Sequence, residues 1–134
     1  MVQGWSQRPG IDCGATFAPV CRIESQRLLL AISIQHDWDI YMLDVKCAFL
    51  QSKIDEEVFV KRGPGYGILE AATGIPMAMK LEQAFYGLRT ASRVWHLTLD
   101  KALTTIAFTS TESDPCLYIY EIGGGVCSID NLRR

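Results

Sequence analysis

The sequence IYMLDVKCAFL, residues Ile40–Leu50, places one carboxylate, Asp44, between two apolar runs. Four apolar or aromatic residues precede Asp44 without polar alternation, so they predict an interior strand over Ile40–Asp44 that is covered on both faces. A charged side chain at the end of such a strand must be solvated, hydrogen-bonded or bound to a cation. Asp44 is therefore the first candidate for a functional residue.

The composition predicts one globular domain. The 134 residues are 49% hydrophobic and 21% charged, which is ordinary for a folded protein. The net charge of −2 offers no broad attraction to nucleic acid, although a local basic groove is compatible with it. Five scattered cysteines without a CxxC pair favour a reducing, intracellular compartment over a zinc site or a disulfide framework. No apolar run is long enough for a bilayer, so we expect no membrane partner.

Two helices are predicted from apolar periodicity. Ser25 is the predicted N-cap of a helix over 26–35, and this helix is apolar on more than one face, so we expect it to be largely buried. A longer helix is indicated by apolar residues that recur at helical spacing between Leu88 and Ile106.

Strands are predicted on both sides of the long helix. Glu57–Lys61 alternates in polarity, which is typical of a short strand. After the helix, Cys116–Glu121 and Val126–Asp130 flank Gly123–Gly125 and predict an antiparallel hairpin. This order of elements favours an α+β fold in which an antiparallel sheet packs on helices.

A second aspartate, Asp130, also follows an apolar run at the end of a predicted strand. If the two strands are neighbours, Asp44 and Asp130 form an oxygen-rich, anionic site suited to Mg²⁺. A pair of such ions about 3.5–4 Å apart clamps the attacking and leaving oxygens of a phosphoryl transfer. The alternative is that each aspartate caps a turn.

Four blocks of sequence together resemble the reverse transcriptase (RNA-dependent DNA polymerase) domain of copia-type LTR-retrotransposon Pol polyproteins. In chain order they are GWSQRPGIDCGATFAPVCR, WDIYMLDVKCAFLQSKIDEEVFV, KLEQAFYGLRTASRVW and SDPCLYIY. The resemblance covers Gly4–Tyr120 and implies part of a right-hand polymerase. Residues 1–39 are then a fingers-like remnant, and residues 40–134 are the palm.

The resemblance implies a metal site that is only partly intact. Asp44 is implied as a catalytic ligand of magnesium, with the main chain of Val45 as a further ligand. The family's second metal-binding block is a YVDD tetrapeptide in a hairpin, and the matching stretch here is SIDN, residues 128–131. Asp130 keeps the first, catalytic and metal-binding aspartate of that block. Asn131 stands at the degenerate position, where an amide binds Mg²⁺ less well than a carboxylate.

The resemblance also implies a nucleotide-binding surface. The amides around Cys47 and Ala48 are expected near the incoming triphosphate. Phe49 matches the aromatic that lies under the sugar and rejects a 2′-hydroxyl, since a rigid ring leaves no room for the extra oxygen. Arg89 and Thr90 fall on the nucleotide-facing block at the start of the long helix, with Thr90 standing where the family usually has glutamine. The alternative for Arg89 is a solvated helix face.

Partners and cofactors follow from the same resemblance. We expect an RNA or DNA template-primer, deoxynucleotides, and Mg²⁺ or Mn²⁺ in an active member, acting in a cytoplasmic virus-like particle or in the nucleus. The family's upstream fingers residues, thumb and ribonuclease H are not in the sequence, so a fragment that is truncated at the YVDD-like hairpin is expected. The alternative function is a catalytically inert remnant or a non-enzymatic nucleic-acid-binding piece, which Asn131 and Thr90 favour.

Overall fold

A computed structural model describes residues 2–61, 78–122 and 125–130 of the chain. The helices are α1, Ile23–Gln35, and α2, Ala91–Thr105; the strands are β1, Lys53–Val60, β2, Met79–Gln83, β3, Thr109–Ser110, β4, Leu117–Ile122, and β5, Gly125–Asp130. The chain divides into two compact units. The first unit comprises Met1–Phe17 and Cys47–Trp95, and the second comprises Ala18–Lys46 and His96–Arg134. No helix in the described residues is long and apolar enough to cross a lipid bilayer.

In the first unit, β1 and β2 form an antiparallel ribbon whose inner face meets the start of α2. Val58 of β1 lies opposite Leu81 of β2. Val58 is buried in one cluster with Ala84, Leu88 and Ala91. Alternate residues of β1 therefore cover the core, and the residues between them face away from it.

In the second unit, β4 is the central strand of an antiparallel sheet in the order β3-β4-β5. Tyr118 of β4 is fully buried against Leu103 and Phe108. Its hydroxyl lies 3.1 Å from a carboxylate oxygen of Asp100 on α2 and donates to it, and burial together with this bond raises the pKa of Tyr118. The antiparallel pairing of the predicted hairpin and the α+β class with an antiparallel sheet on helices are thus confirmed. Of the predicted turn Gly123–Gly125, Gly125 begins β5 and the other two residues lie outside the described residues.

The start of α1 is held by an acid that is distant in sequence. Asp114 is only 1% exposed, and its carboxylate accepts the N–H groups of Arg22 and Cys116, each at 3.0 Å. Burial alone would raise the pKa of Asp114, but hydrogen bonds from Ser25, Arg22 and Cys116 outweigh it and lower that pKa to about 2. Asp114 is therefore a buried anion, stabilised by donors from α1 and from its own turn.

Two details of the sequence prediction for α1 are wrong. The helix begins at Ile23 with Arg22 at the N-cap position, so Ser25 lies inside the first turn. Its hydroxyl bonds the Asp114 carboxylate, which takes over the capping role that was predicted for Ser25 itself. Burial is also less than expected, because only Ser33 of α1 is buried and Leu28 and Ile34 are exposed.

The predicted interior strand over Ile40–Asp44 is also wrong. These residues have no strand conformation, and Leu43 is 88% exposed. The reason is the lack of a neighbouring strand. Residues 39–46 make no backbone hydrogen bond to the described chain, and an apolar run becomes a strand only when its N–H and C=O groups are paired. By contrast, β1 is longer than the predicted Glu57–Lys61, because β2 supplies a partner.

Replacing Asp114 tests the anchor of α1. Because its folded-state pKa of about 2 lies below the ordinary 3.8, its contribution is present above pH 3.8 and is lost as the pH falls toward 2. That difference corresponds to roughly 2 kcal/mol. We expect Asp114→Asn to lower the free energy of unfolding by about this amount at neutral pH, measured by urea titration with circular dichroism.

The matched control is Asp39→Asn, which removes an exposed carboxylate from the same unit. It should leave the urea midpoint unchanged within error. An Asp114→Asn protein whose unfolding free energy falls between pH 4 and pH 2 as steeply as that of the parent would show that another acid carries the pH dependence.

Candidate functional site

Asp44 is exposed and unpaired in the second unit. Its neighbours Leu43 and Val45 are exposed as well. No hydrogen bond or ion pair within the described chain engages the Asp44 carboxylate. Both oxygens of Asp44 are therefore available to a ligand, and Val45 leaves its carbonyl oxygen equally available. The alternative was that Asp44 caps a turn. No hydrogen bond among the described residues supports it.

Asp130 is the last residue of β5, where its backbone lies opposite Leu117 of β4. In the described chain β5 has β4 on one side and no strand on the other. The structure thus places Asp130 on the edge strand of the sheet, and it does not bring residues 40–44 into that sheet. Asn131 lies outside the described residues, and in the part that is described no group of three or more His, Cys, Asp or Glu side chains forms a metal site.

The turn at Cys47 has an unusual backbone. Cys47 adopts a left-handed conformation with φ 52°, which a residue other than glycine adopts only at a cost in strain. A 3₁₀ turn over Ala48–Gln51 follows and is closed by the Leu50 N–H on the Cys47 carbonyl at 2.9 Å. The N–H groups of Cys47, Ala48 and Phe49 have no acceptor in the described chain. Consecutive free N–H groups beside a left-handed residue form a concavity suited to an anion.

Phe49 is half-buried and lies beside Tyr86. The two ring centroids are 4.8 Å apart at an interplanar angle of 57°, a favourable tilted geometry. Phe49 also packs against the core cluster that contains Leu88 and Ala91. Since Arg89 and Thr90 stand between those two residues in sequence, the first unit brings Phe49 and the start of α2 to one cluster.

Arg89 fastens the segment Gly4–Gln7 to the start of α2. Its Nε donates to the Gly4 carbonyl at 3.0 Å and its Nη2 to the Trp5 carbonyl at 3.1 Å. The backbone N–H of Arg89 donates to Oε1 of Gln7 at 3.0 Å. Three donors of Arg89 are thus used within the protein.

Thr90 occupies the N-cap position of α2 but is 1% exposed. Its hydroxyl oxygen has no hydrogen-bond partner in the described chain, while its carbonyl accepts the Val94 N–H at 3.0 Å. The Thr90 hydroxyl can therefore contact a nucleotide only if the residues that cover it move away.

Gly4, Gln7 and Tyr86 also belong to this region, although no sequence pattern predicted them. A Cβ added to Gly4 would lie 1.9 Å from the Gly87 carbonyl oxygen, so the two backbones approach too closely for any side chain. The sequence did mark both glycines, because Gly4 lies in the GWSQ block and Gly87 in the YGLR block of the family resemblance. Their proximity could not be derived from spacing, since they are far apart in the chain.

Comparison with known proteins gives one family. The sequence model of the family described as "Reverse transcriptase (RNA-dependent DNA polymerase)" matches residues 1–129. The chain is 34% identical over 126 residues to the retrovirus-related Pol polyprotein from transposon RE1 of Arabidopsis thaliana, and 33% identical over 126 residues to that from transposon RE2 of the same plant. It is 35% identical over 118 residues to the corresponding polyprotein from transposon TNT 1-94 of Nicotiana tabacum.

These alignments cover most of the chain and little of each relative. They span 94%, 94% and 88% of the chain but only 8%, 8% and 9% of the three polyproteins. No solved structure matches the chain. The resemblance to a copia-type polymerase domain, found from the four sequence blocks, is confirmed by these matches.

Two glycines provide a test of the contact between Gly4 and Gly87. In Gly4→Ala the new methyl group meets backbone, which cannot move without breaking the Arg89 contacts, so we expect a loss of roughly 2–3 kcal/mol in the free energy of unfolding. In Gly14→Ala the new Cβ lies 2.8 Å from Glu56 Oε1, the end of a flexible side chain that accepts the Gly14 N–H at 2.7 Å and can rotate away at the cost of that one exposed hydrogen bond. We expect that loss to be much smaller. Equal destabilisation of both variants in thermal unfolding would contradict this account of Gly4.

Proposed function

The chain belongs to the reverse transcriptase family of RNA-dependent DNA polymerases, and from that premise we propose that it forms part of the fingers and most of the palm of a template-directed DNA polymerase. The reaction is attack of a primer 3′-oxygen on the α-phosphorus of a deoxynucleotide. The observation that carries the proposal is the Asp44 carboxylate, which is exposed and unpaired within the described chain at the aspartate of the family's LDVKxAFL block. An RNA or DNA template-primer and deoxynucleotides are the proposed partners, in a virus-like particle or in the nucleus.

The site requires Asp44 and Asp130 to come together in the second unit. We propose that Ile40–Val45 pairs with the free edge of β5. Two features support this pairing: residues 39–46 have unpaired backbone groups in the described chain, and β5 lacks a partner on one side there. Pairing would satisfy the backbone and bury part of an exposed apolar run, both of which stabilise the assembled sheet.

The donor set fits a hard divalent cation. Carboxylates of Asp44 and Asp130 and a main-chain carbonyl at Val45 are oxygen ligands of the kind that Mg²⁺ prefers, and Mn²⁺ accepts the same set. When bound, such ions stabilise negative charge on the attacking and leaving oxygens. The Asp44 oxygens need not release a protein partner first, because none in the described chain holds them.

The first unit would supply the nucleotide contacts. The free N–H groups of Cys47 and Ala48 are proposed to bind triphosphate oxygens, and the strained φ of Cys47 supports a functional role for that turn. The Phe49 ring, held against Tyr86, is proposed to exclude a 2′-hydroxyl. Arg89 is proposed to act by positioning the start of α2, because its guanidinium is already engaged with two carbonyls.

A second candidate is a catalytically inert, nucleic-acid-binding protein. Two residues favour it. Asn131 stands where the family has a second aspartate, and it removes one negative charge from the metal site. Thr90 is buried at a position where the family's glutamine is expected to reach the nucleotide.

Primer extension on an RNA template separates the two candidates. With Mg²⁺ or Mn²⁺ present, the parent chain should extend the primer, and Asp44→Asn should lose about 10²–10³-fold in rate because a ligand of the ions is removed. Asn131→Asp should raise the rate by restoring the missing carboxylate. Asp39→Asn is the control for loss of a nearby exposed charge and should leave the rate unchanged.

Two results would count against the polymerase proposal. If neither the parent nor Asn131→Asp incorporates a nucleotide, the inert candidate is supported. If Asp44→Asn extends the primer as fast as the parent, Asp44 is not a metal ligand of the reaction.

A further inference from the structure

Trp5 is anchored through its main chain while its side chain is left in solvent. The residue is 75% exposed. Its carbonyl accepts a hydrogen bond from Arg89 at 3.1 Å, and the Gly4 carbonyl before it accepts another from the same guanidinium at 3.0 Å. A large aromatic ring on a fixed backbone loses only its own side-chain rotation, and no backbone freedom, when it meets a ligand.

The backbone is fixed on both sides of Trp5. Before it, the Val2 N–H donates to the Tyr86 carbonyl at 2.9 Å, and Gly4 lies against Gly87 with no space for a side chain. After it, the Gln7 N–H donates to the Gly4 carbonyl at 3.1 Å, and Gln7 Oε1 accepts the Arg89 N–H. None of these bonds uses the indole, so they fix the main chain that carries the ring and leave the ring exposed.

The charge of the chain is divided unevenly between the two units. The first unit contains seven Lys and Arg against six Asp and Glu, whereas the second contains six against nine. The net charge of −2 therefore comes entirely from the second unit. Trp5 and Arg89 both lie in the first unit, which is the part of the chain that repels a polyanion least.

We propose that Trp5 is a stacking platform for an unpaired base of single-stranded nucleic acid, namely the template strand. The Arg89 side chain bonds the main chain of this platform. The choice of nucleic acid as the partner rests on the proposed function. Base stacking on an aromatic ring suits a template strand, because every base has a π-face and the contact tolerates any sequence. Trp5 is fastened to Arg89, two residues before α2, and Phe49, one of the proposed nucleotide contacts, packs against the cluster of Leu88 and Ala91 that flanks Arg89 in sequence.

Fluorescence anisotropy with a labelled oligothymidylate of about 15 nucleotides tests the platform, since this length exceeds most single-strand binding sites. Trp5→Ala should weaken binding about 5- to 150-fold, which corresponds to the loss of one stacked base. Trp5→Phe should recover most of the affinity. Phe17→Ala is the matched control: Phe17 is 83% exposed in the same unit, and no bond in the described chain anchors it, so affinity should change by less than about twofold.

A duplex of the same length is the second control. Its bases are already stacked and paired, so Trp5→Ala should leave duplex affinity unchanged while single-strand affinity falls. Equal loss on both probes, equal loss in Phe17→Ala, or no binding of the oligothymidylate by the parent would overturn the proposal. Sedimentation velocity tests whether Trp5 is instead a self-association contact. If Trp5→Ala changes the oligomeric state but not the affinity for the oligothymidylate, Trp5 has that role and the proposal fails.

The two proposals fail in different ways. A parent protein that extends primers while Trp5→Ala binds the oligothymidylate normally overturns the stacking role and leaves the polymerase in place. A parent protein that binds the oligothymidylate through Trp5 but never extends a primer supports the stacking role and overturns the polymerase.

Discussion

The proposed metal site depends on one feature, the unpaired backbone of residues 39–46 in the described chain. These residues form no backbone hydrogen bond within the described chain, although they include the most apolar part of IYMLDVKCAFL. Pairing such a segment with a strand edge is favourable, because it gives the unpaired peptide groups hydrogen bonds and removes apolar side chains from water. The same unit offers such an edge on β5, at whose end Asp130 lies. One pairing would therefore satisfy the backbone, cover the apolar residues and bring two carboxylates together.

The first unit is organised by close backbone contact rather than by a large core. Gly4 meets Gly87, and Arg89 bonds two successive carbonyls of the same segment. These contacts join the GWSQ and YGLR blocks, which are distant in sequence. Phe49 and Tyr86 pack beside them, so the proposed nucleotide contacts and the exposed Trp5 are both tied to the start of α2. The proposed chemistry of the two units is thus divided, with metal ligands in the second and nucleotide or template contacts in the first.

The features that the sequence predicted correctly are set by local sequence. The long helix and the β4–β5 hairpin depend on periodicity and turn residues within one stretch of chain, and both are present. The strand over Ile40–Asp44 was wrong because a strand also needs a partner, which local pattern cannot supply. Asp114 was not recognised as an anchor because its donor Arg22 is 92 residues away. Similarly, the close approach of Gly4 to Gly87 is set by tertiary structure and has no periodic signature. The sequence pattern offered Asp44 and Asp130 as candidates, but paired acids at strand ends occur in many chains, so their roles and the nucleotide-contact residues came from the family resemblance.

Paramagnetic NMR measures directly whether Asp44 and Asp130 hold one metal site, as proposed. Substoichiometric Mn²⁺ broadens resonances of nearby amides, so a shared site should broaden the amides of Leu43–Val45 and of Leu117, whose backbone pairs with Asp130, at the same time. Both effects should disappear in Asp44→Asn. Broadening at only one of the two places, or broadening at both that persists in Asp44→Asn, would contradict a shared site.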